Sequence, residues 1–527
     1  MKKSYFFIFL SIVFLSQSSA QISQVKFISS NAKTSSITST SFGVLFVADD
    51  DPSIINAEPF ISDGTETGTY KLKEINSNNV LTNASGVYIS DNTEYVELNG
   101  YVYFAGGTAS NNFELWRTDG TTAGTTLVKE INSSSASSSF PLYLNVLNGS
   151  LIFSASNGLS GSNNGTELWI SDGTSTGTVL LKDIYPGTDS SGPSDFCLHD
   201  NKLYFTANNG PNGRELWVTD GTTAGTQMVK DMVVGSGSSN PKYTTSYNGD
   251  LYFSANGELY KSNGVVGNGG ALKNINTSGN SAPTGFKVYN NRLYFSANDG
   301  VNGRELWRTN GTVFGTQLFK DINPSGNSNP ANLTIVNGLL YFRAGNGTSG
   351  KELWSTDGTS ANTSMIEVPS IAEMNPTKLI DYNNKLYFFG DNTTGQRKLW
   401  SSDGTVSGTV QISGSPTIIN ERKMAVHNNE LYLGASNLYK YIDPSLSSEE
   451  FENNSVSLYP NPVSNKFTIK SSQNIERVEV YNALGRLVKT FSNTANSSYN
   501  ISSLNSGLYL VKVLSGNKIK TLKLIKN

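Results

Sequence analysis

Nine short apolar runs, each close to L-Y-F-S-A, start at Val44, Val102, Leu151, Leu203, Leu251, Leu293, Leu340, Leu386 and Leu431. Consecutive apolar residues point to both faces of a strand, so each run predicts a strand buried on both sides. A polar pair stands one residue ahead of eight of them: Asn99-Gly100, Asn148-Gly149, Asp200-Asn201, Asn248-Gly249, Asn290-Asn291, Asn337-Gly338, Asn383-Asn384 and Asn428-Asn429. Such pairs tolerate positive φ and make the two-residue turn that joins antiparallel strands. The apolar run is therefore strand B of a hairpin, and strand A precedes the turn. Downstream follow E-L-W-x-[ST]-D-G-T-x-x-G-T and T-x-L-V-K-D-I, which predict strands C and D around a DGT turn. Residues 288–322, VYNNRLYFSANDGVNGRELWRTNGTVFGTQLFKDI, are the clearest copy. Strand B starts lie 42 to 58 residues apart, so the period corresponds to one four-stranded unit.

A C–D register follows if Thr118 faces Thr125. Trp116 then faces Leu127, and Glu114 faces Lys129. The same offset pairs Glu58 with Lys73, Glu167 with Lys182, Glu215 with Lys230, Glu258 with Lys273 and Glu305 with Lys320. Six opposite-charge pairs predict a ladder that specifies register, at ~0.2–1 kcal/mol per pair. The offset fails at Glu352, which would face Glu367, and at Lys398, which would face Ser413.

A four-stranded antiparallel unit with two buried faces is what a β-propeller blade requires, so the expected fold class is all-β, a repeat β-propeller of about nine units. An eight-bladed ring with one irregular unit, or an open array, is the alternative. The ninth unit stops after strand C, at residues 437–443, while residues 24–30, QVKFISS, resemble a stray strand D. Pairing the two would close the ring.

Composition adds an address. Residues 1–20, MKKSYFFIFLSIVFLSQSSA, place two lysines before a short apolar core and a small-residue end, the pattern of a secretory signal peptide cut after Ala20. The apolar core is too short to span a bilayer, and no other segment approaches that length. Cys197 is the single cysteine, so no intramolecular disulfide is expected, and its place before the Asp200-Asn201 turn suggests a buried, inert thiol. Residues 454–527 hold ten Lys and Arg against two Asp and Glu, a net of +8, which leaves −11 for residues 1–453 and −13 without Lys2 and Lys3. An acidic body argues against nucleic acid and anionic membranes as partners. The charge changes sign near a polar stretch, so the expected plan is a propeller over 21–445, a linker over 446–455 and a small domain over 456–527.

That last segment carries SLYPNPVSNKFTI (457–469), VEVYNALGRLVKTF (478–491) and LNSGLYLVKVLSG (504–516), with Pro460-Asn461-Pro462 and Gly507-Leu508-Tyr509 in sequence. It resembles the type A C-terminal sorting domain of the type IX secretion system. The resemblance implies a small immunoglobulin-like β-sandwich that the outer-membrane machinery recognises and removes, leaving the cargo released or attached to the cell surface. The body, over residues 42–443, resembles the ELWxxDGT repeat family of secreted bacterial proteins, a resemblance that implies no activity.

Candidate chemistry mostly dissolves into the repeat. Trp116, Trp169, Trp217, Trp307, Trp354 and Trp400 share one slot in strand C, filled elsewhere by Phe60, Tyr260 and Tyr439, so inter-blade core is favoured over a sugar-stacking platform. The Asp of each DGT turn, at 63, 119, 172, 220, 357 and 403, becomes Asn263 and Asn310 in two units, which suits a turn cap better than a metal ligand. His199 and His427 each precede an A–B turn, with Asn or Asp as expected partners and no metal-ligand spacing. The loops at 298–305 and 48–53 hold enough oxygen ligands for Ca²⁺ but lack the D-x-[DN]-x-[DN]-G spacing, so solvated loops and no cofactor are expected. The B–C and D–A connections vary most in length and share one side of the sheets, which makes Arg214, Arg304 and Asp299 the candidate ligand-binding residues. Three classes of function fit: a non-catalytic surface binding or adhesion protein for a glycan or surface protein, a propeller glycoside hydrolase or lyase, and a structural spacer. The first is favoured, because catalysis needs unique carboxylates that the repeat does not supply.

Overall fold

The computed structural model describes residues 22–30, 32–50, 56–75, 85–87, 95–107, 112–132, 138–158, 165–418, 423–443, 449–450, 456–471, 474–482, 486–492, 498–515 and 518–527. The expected signal peptide, and all but residues 449–450 of the stretch 444–455, lie outside them. The described residues form strands and turns with no helix, and so none long and apolar enough to cross a membrane. Two compact units divide the chain, one ending at Tyr441 and the other starting at Ile442.

The first unit is a propeller-like series of nine sheets, numbered here 1 to 9, each running A-B-C-D antiparallel. Sheet 6 shows the plan: Thr284–Tyr289, Arg292–Asn298, Arg304–Thr309 and Gln317–Lys320. Each strand B begins one residue before its apolar run. The Asn290-Asn291 turn takes φ of 46° and 52°, the left-handed conformation that Asn accepts at little cost. Sheets 1 and 2 are additionally bridged by the short strand Ser85–Val87, parallel to one and antiparallel to the other.

Alternation along strand B explains the doubly apolar pattern. Tyr294, with Leu306 and Phe319, packs forward onto Leu340, Phe342 and Trp354 of sheet 7. Leu293 and Phe295 point backward, where Phe295 and Trp307 meet Leu259 and Ile275 of sheet 5. Successive sheets thus share cores, and each Trp packs on the sheet before its own. The same relation joins the two ends of the series: Val25, Tyr432 and Leu438 share a core with Val44, Phe46 and Phe60 of sheet 1. Sheet 9 takes its strand D from the start of the unit, because Ile22–Lys26 pairs antiparallel with Leu438–Tyr441, Gln24 facing Tyr439.

The expected Glu–Lys ladder does not form. Trp116 does face Leu127, but a bulge then sets Lys129 opposite Leu115. Identical shifts put Lys182 opposite Leu168, Lys230 opposite Leu216, Lys273 opposite Leu259 and Lys320 opposite Leu306. In sheet 1 the C–D pairing stops at Lys71, short of Lys73. The extra residue buries Val128 and turns the lysine away from the glutamate, the usual consequence of one unpaired residue in a ladder.

The second unit has two sheets. One orders Glu449–Glu450, Lys518–Lys526, Gly507–Ser515, Arg477–Asn482 and Leu487–Ser492; the other holds Val456–Tyr459, Lys466–Ser471 and Ser498–Asn500. Phe467, Val478, Tyr499, Val511 and Leu524 from both sheets form one core.

Candidate functional sites

Among the described residues of the first unit, Glu58, Glu114, Glu167, Glu215, Glu305 and Glu352 of strand C are the most buried carboxylates, while Glu258 is half-buried. Glu305 accepts from the Ile322 amide (2.7 Å), the Ser328 amide (2.8 Å) and Ser328 Oγ (2.6 Å). Glu167 repeats this with Ile184 (2.8 Å), Ser191 N (2.9 Å) and Ser191 Oγ (2.6 Å), as do Glu114 with Ile131 and Ser139 and Glu215 with Met232 and Ser239. Each glutamate ties strand C to the connection that leads into the next sheet. Burial pushes these carboxyls up, opposed by the serine and amide donors, which favour the charged form. A glycosidase needs two carboxyls converging on one bond. These instead face their own connections.

The strand D lysines reach forward. Lys129, Lys182, Lys230 and Lys273 donate to the carbonyls of Thr178 (2.8 Å), Thr226 (2.6 Å), Gly269 (2.6 Å) and Thr316 (2.7 Å) in the following sheet. A sequence pattern assigned to one hairpin therefore serves two separate junctions, which no pairwise reading of the repeat could separate.

Arg214 opens strand C of sheet 4, whereas Arg304 and Asp299 flank the B–C connection of sheet 6, so the three candidates are not brought together. The Arg214 guanidinium donates to the Ser191 carbonyl (3.1 Å), the Gly192 carbonyl and Ser194 Oγ (2.7 Å). Arg304 donates to the carbonyls of Ala282 (2.9 Å) and Ser281 (3.3 Å). Asp299 caps its own loop, accepting from Val301 N (2.9 Å), Asn302 N (2.7 Å) and Asn302 Nδ2 (2.7 Å). Each thus has an internal partner.

The DGT turns cap themselves: Asp172 Oδ1 accepts from Thr174 N (2.8 Å) and Thr174 Oγ1 (2.7 Å), holding its carboxyl low. His199 Nε2 lies 3.6 Å from Asp200 Oδ2, and His427 takes the expected Asn partner, with Asn428 Nδ2 3.1 Å from its Nε2. Their Nδ1 atoms bond Ser246 Oγ (2.7 Å) and Ser39 Oγ (2.9 Å) in the next sheet, a position invisible without the inter-sheet packing. Cys197 is half-buried rather than buried, and the desolvation it does undergo raises its thiol. Among the described residues no group of three or more His, Cys, Asp or Glu could hold a metal ion. Asp51, Pro52 and Ser53 of one expected oxygen-rich loop lie outside them.

Two cavities open on the side of the A–B and C–D turns. One, of ≈ 470 Å³, lies over Lys230, Asp250, Lys261 and the C–D turn of sheet 5. The other, of ≈ 670 Å³, lies between Tyr247 and Asn248 of sheet 5 and Asn290, Asn291, Arg292 and Asn310 of sheet 6.

In the second unit, Asn461 pins the last strand. Its Nδ2 donates to the Lys523 carbonyl (2.7 Å), and its Oδ1 accepts from the Ile525 amide (2.8 Å). Leu508, Leu510 and Ile525 are exposed on the last two strands, beside Lys523.

Residues 457–527 match the family model of the secretion system C-terminal sorting domain, which marks a chain for secretion. No curated protein matches the chain. Among solved structures, an extracellular domain described as that of a one component system, BT4673, from B. thetaiotaomicron is similar at 11% identity and a TM-score of 0.34, over 94% of this chain and 81% of that one. A puromycin hydrolase is similar at 12% and 0.35, over 70% and 60%. Prolyl endopeptidases are similar at 10% and 0.40, over 92% and 54%.

Proposed function

We propose that this chain is a secreted or cell-surface binding protein without catalytic activity, exported by the type IX secretion system. Its first unit is read as a closed nine-bladed ring of ELWxxDGT repeats, and its second as an immunoglobulin-like sorting domain that the machinery recognises. The sorting-domain match over residues 457–527 supports export. The observation that carries the non-catalytic reading is the use of the glutamates: the buried carboxylates recur in sheet after sheet and are taken up by connection amides and hydroxyls.

The test removes the chain after Asp443 and follows its location, alongside glycan-array binding of the mature protein with and without Ca²⁺. A folded body retained in the periplasm, with the full chain reaching the surface and leaving bound glycans intact, is the expected result. Surface delivery of the truncated chain overturns the sorting role. Cleavage of a bound glycan overturns the non-catalytic reading and restores the glycosidase or lyase alternative.

A further inference from the structure

The repeat supplies its own control, since a turn residue that departs from its counterparts in the other sheets is not there to satisfy the repeat. The tip of the C–D turn is small or polar in most sheets, as at Thr67, Ala123, Thr176, Ala224, Ala361 and Ser407. In sheets 5 and 6 it becomes Val265-Val266 and Val313-Phe314, and Phe314 is 95% exposed. The same two sheets, and no other, replace the turn's Asp with Asn263 and Asn310. Asn310 Oδ1 still accepts from Thr312 N (3.1 Å) and Thr312 Oγ1 (2.8 Å), so the exchange keeps the cap and removes only the charge.

That removal isolates a cation. Lys202 and Lys385 open strand B in sheets 4 and 8, beside Asp220 and Asp403, whose carboxyls are held low chiefly by Thr222 and Thr405 and further by those lysines. Arg292 occupies this position in sheet 6, where the counterpart is the neutral Asn310. Among the described residues the Arg292 side chain, half-buried, makes neither an ion pair nor a hydrogen bond. Two amides beside it are also free. Asn148 and Asn290 each donate to a turn carbonyl of the next sheet, Asp220 (3.4 Å) and Asp357 (3.1 Å), but Asn248 makes no such bond and neither does the side chain of Asn291. Arg292, Asn248 and Asn291 all line the ≈ 670 Å³ cavity, together with Asn310, the first residue of the turn that carries Phe314.

We infer that this cavity is a subsite for an acidic saccharide. An unpaired guanidinium presents parallel donors that match a carboxylate. The free amides of the lining offer donors and acceptors for ring hydroxyls, and Phe314, outside the lining at the tip of the turn that Asn310 opens, offers an exposed ring for the apolar face of a pyranose that extends beyond the cavity. A carboxylate alone would explain Arg292 but leaves the two free amides of the lining without a role. The acidity of the rest of the unit acts at long range, where salt screens it within ~8 Å, so contact with Arg292 decides selectivity. The inference rests on the proposed reading of the chain as an exported binding protein.

The test titrates the mature full-length protein with trigalacturonate, galactotriose and triglutamate by calorimetry. Trigalacturonate should bind at least tenfold more tightly than either control. Arg292→Ala and Phe314→Ala should each weaken it at least tenfold, Arg292→Lys less, and Asp172→Asn, in the equivalent turn of sheet 3, not at all. All variants should keep the parent melting temperature. Absence of trigalacturonate binding, equal binding of galactotriose, or affinity unchanged by Arg292→Ala overturns the inference, and triglutamate binding that ignores Phe314→Ala replaces it with a peptide site. Export of the full chain, with array binding insensitive to Arg292→Ala, would leave the binding-protein reading standing while this site falls.

Discussion

Lys26 Nζ donates to the Thr69 carbonyl at 2.6 Å, joining the first described strand to sheet 1. Lys182 and Thr226 have the same relation inside the series, also at 2.6 Å. Ser39 and His427 (2.9 Å) likewise repeat Ser246 and His199 (2.7 Å). The junction between sheets 9 and 1 is therefore built like any other, although its two halves lie at opposite ends of the unit.

Deleting residues 21–31 should accordingly be severe. It removes the buried Ile22 and Val25, each worth about 1.5–3 kcal/mol, and exposes the edge of Leu438–Tyr441. A large drop in melting temperature, with the intact chain as reference, is expected. An unchanged transition would show that the strand does not close the ring.

Glu305 and Lys320 should act independently. Glu305→Ala leaves three donors without an acceptor and should cost about 1–3 kcal/mol in urea unfolding, with Glu305→Gln milder. Lys320→Met loses a bond to the Ser360 carbonyl (3.0 Å) and should cost less than about 1 kcal/mol. The double variant should be additive. A coupling above about 0.5 kcal/mol would reinstate a direct Glu–Lys pair.

Strand order, the turns and the inter-sheet tryptophans were legible because each depends on local chemistry repeated many times: Asn290-Asn291 for positive φ, Leu293 to Phe295 for two buried faces. The Trp116–Leu127 register was legible for the same reason. Glu114 was misread because opposite charge at a fixed offset looks identical whether the partners meet or diverge across a bulge. Its actual donors, Ile131 N and Ser139, are a backbone amide and a small hydroxyl with no charge signature. The isolation of Arg292 was hidden more deeply, since it depends on what stands at 310 in the same sheet. Loop-length variation points instead to the opposite side of the sheets, where Arg214, Arg304 and Asp299 stand.

Asp172→Ala should lower stability by about 0.5–1.5 kcal/mol, because Thr174 N and Oγ1 lose their acceptor. Asp172→Asn should be nearly neutral, as Asn310 performs the same role with Thr312. Chemical denaturation of both variants checks this, and equal losses would mean that the charge, not the cap, holds the turn.

Glu352 should make the first unit less stable as pH rises. At this place in sheet 7 the repeat's donors are missing: Pro369 stands where its counterparts supply an amide, and Met374 where they supply a serine, leaving the Met374 amide at 3.2 Å. Burial, with the Glu367 and Glu373 carboxylates adding to it, pushes Glu352 up to about 7 from 4.5. The folded state therefore keeps a proton that the unfolded state releases between pH 4.5 and about 7, so stability is full below that window and is lost as pH rises through it. Each tenfold difference in acid constant corresponds to about 1.4 kcal/mol. Glu352→Gln removes the linkage without changing shape. Its melting temperature should match the parent near pH 4.5 and exceed it increasingly up to pH 8. A difference that stays constant across that range would mean that Glu352 ionises as readily in the folded protein as in the unfolded chain.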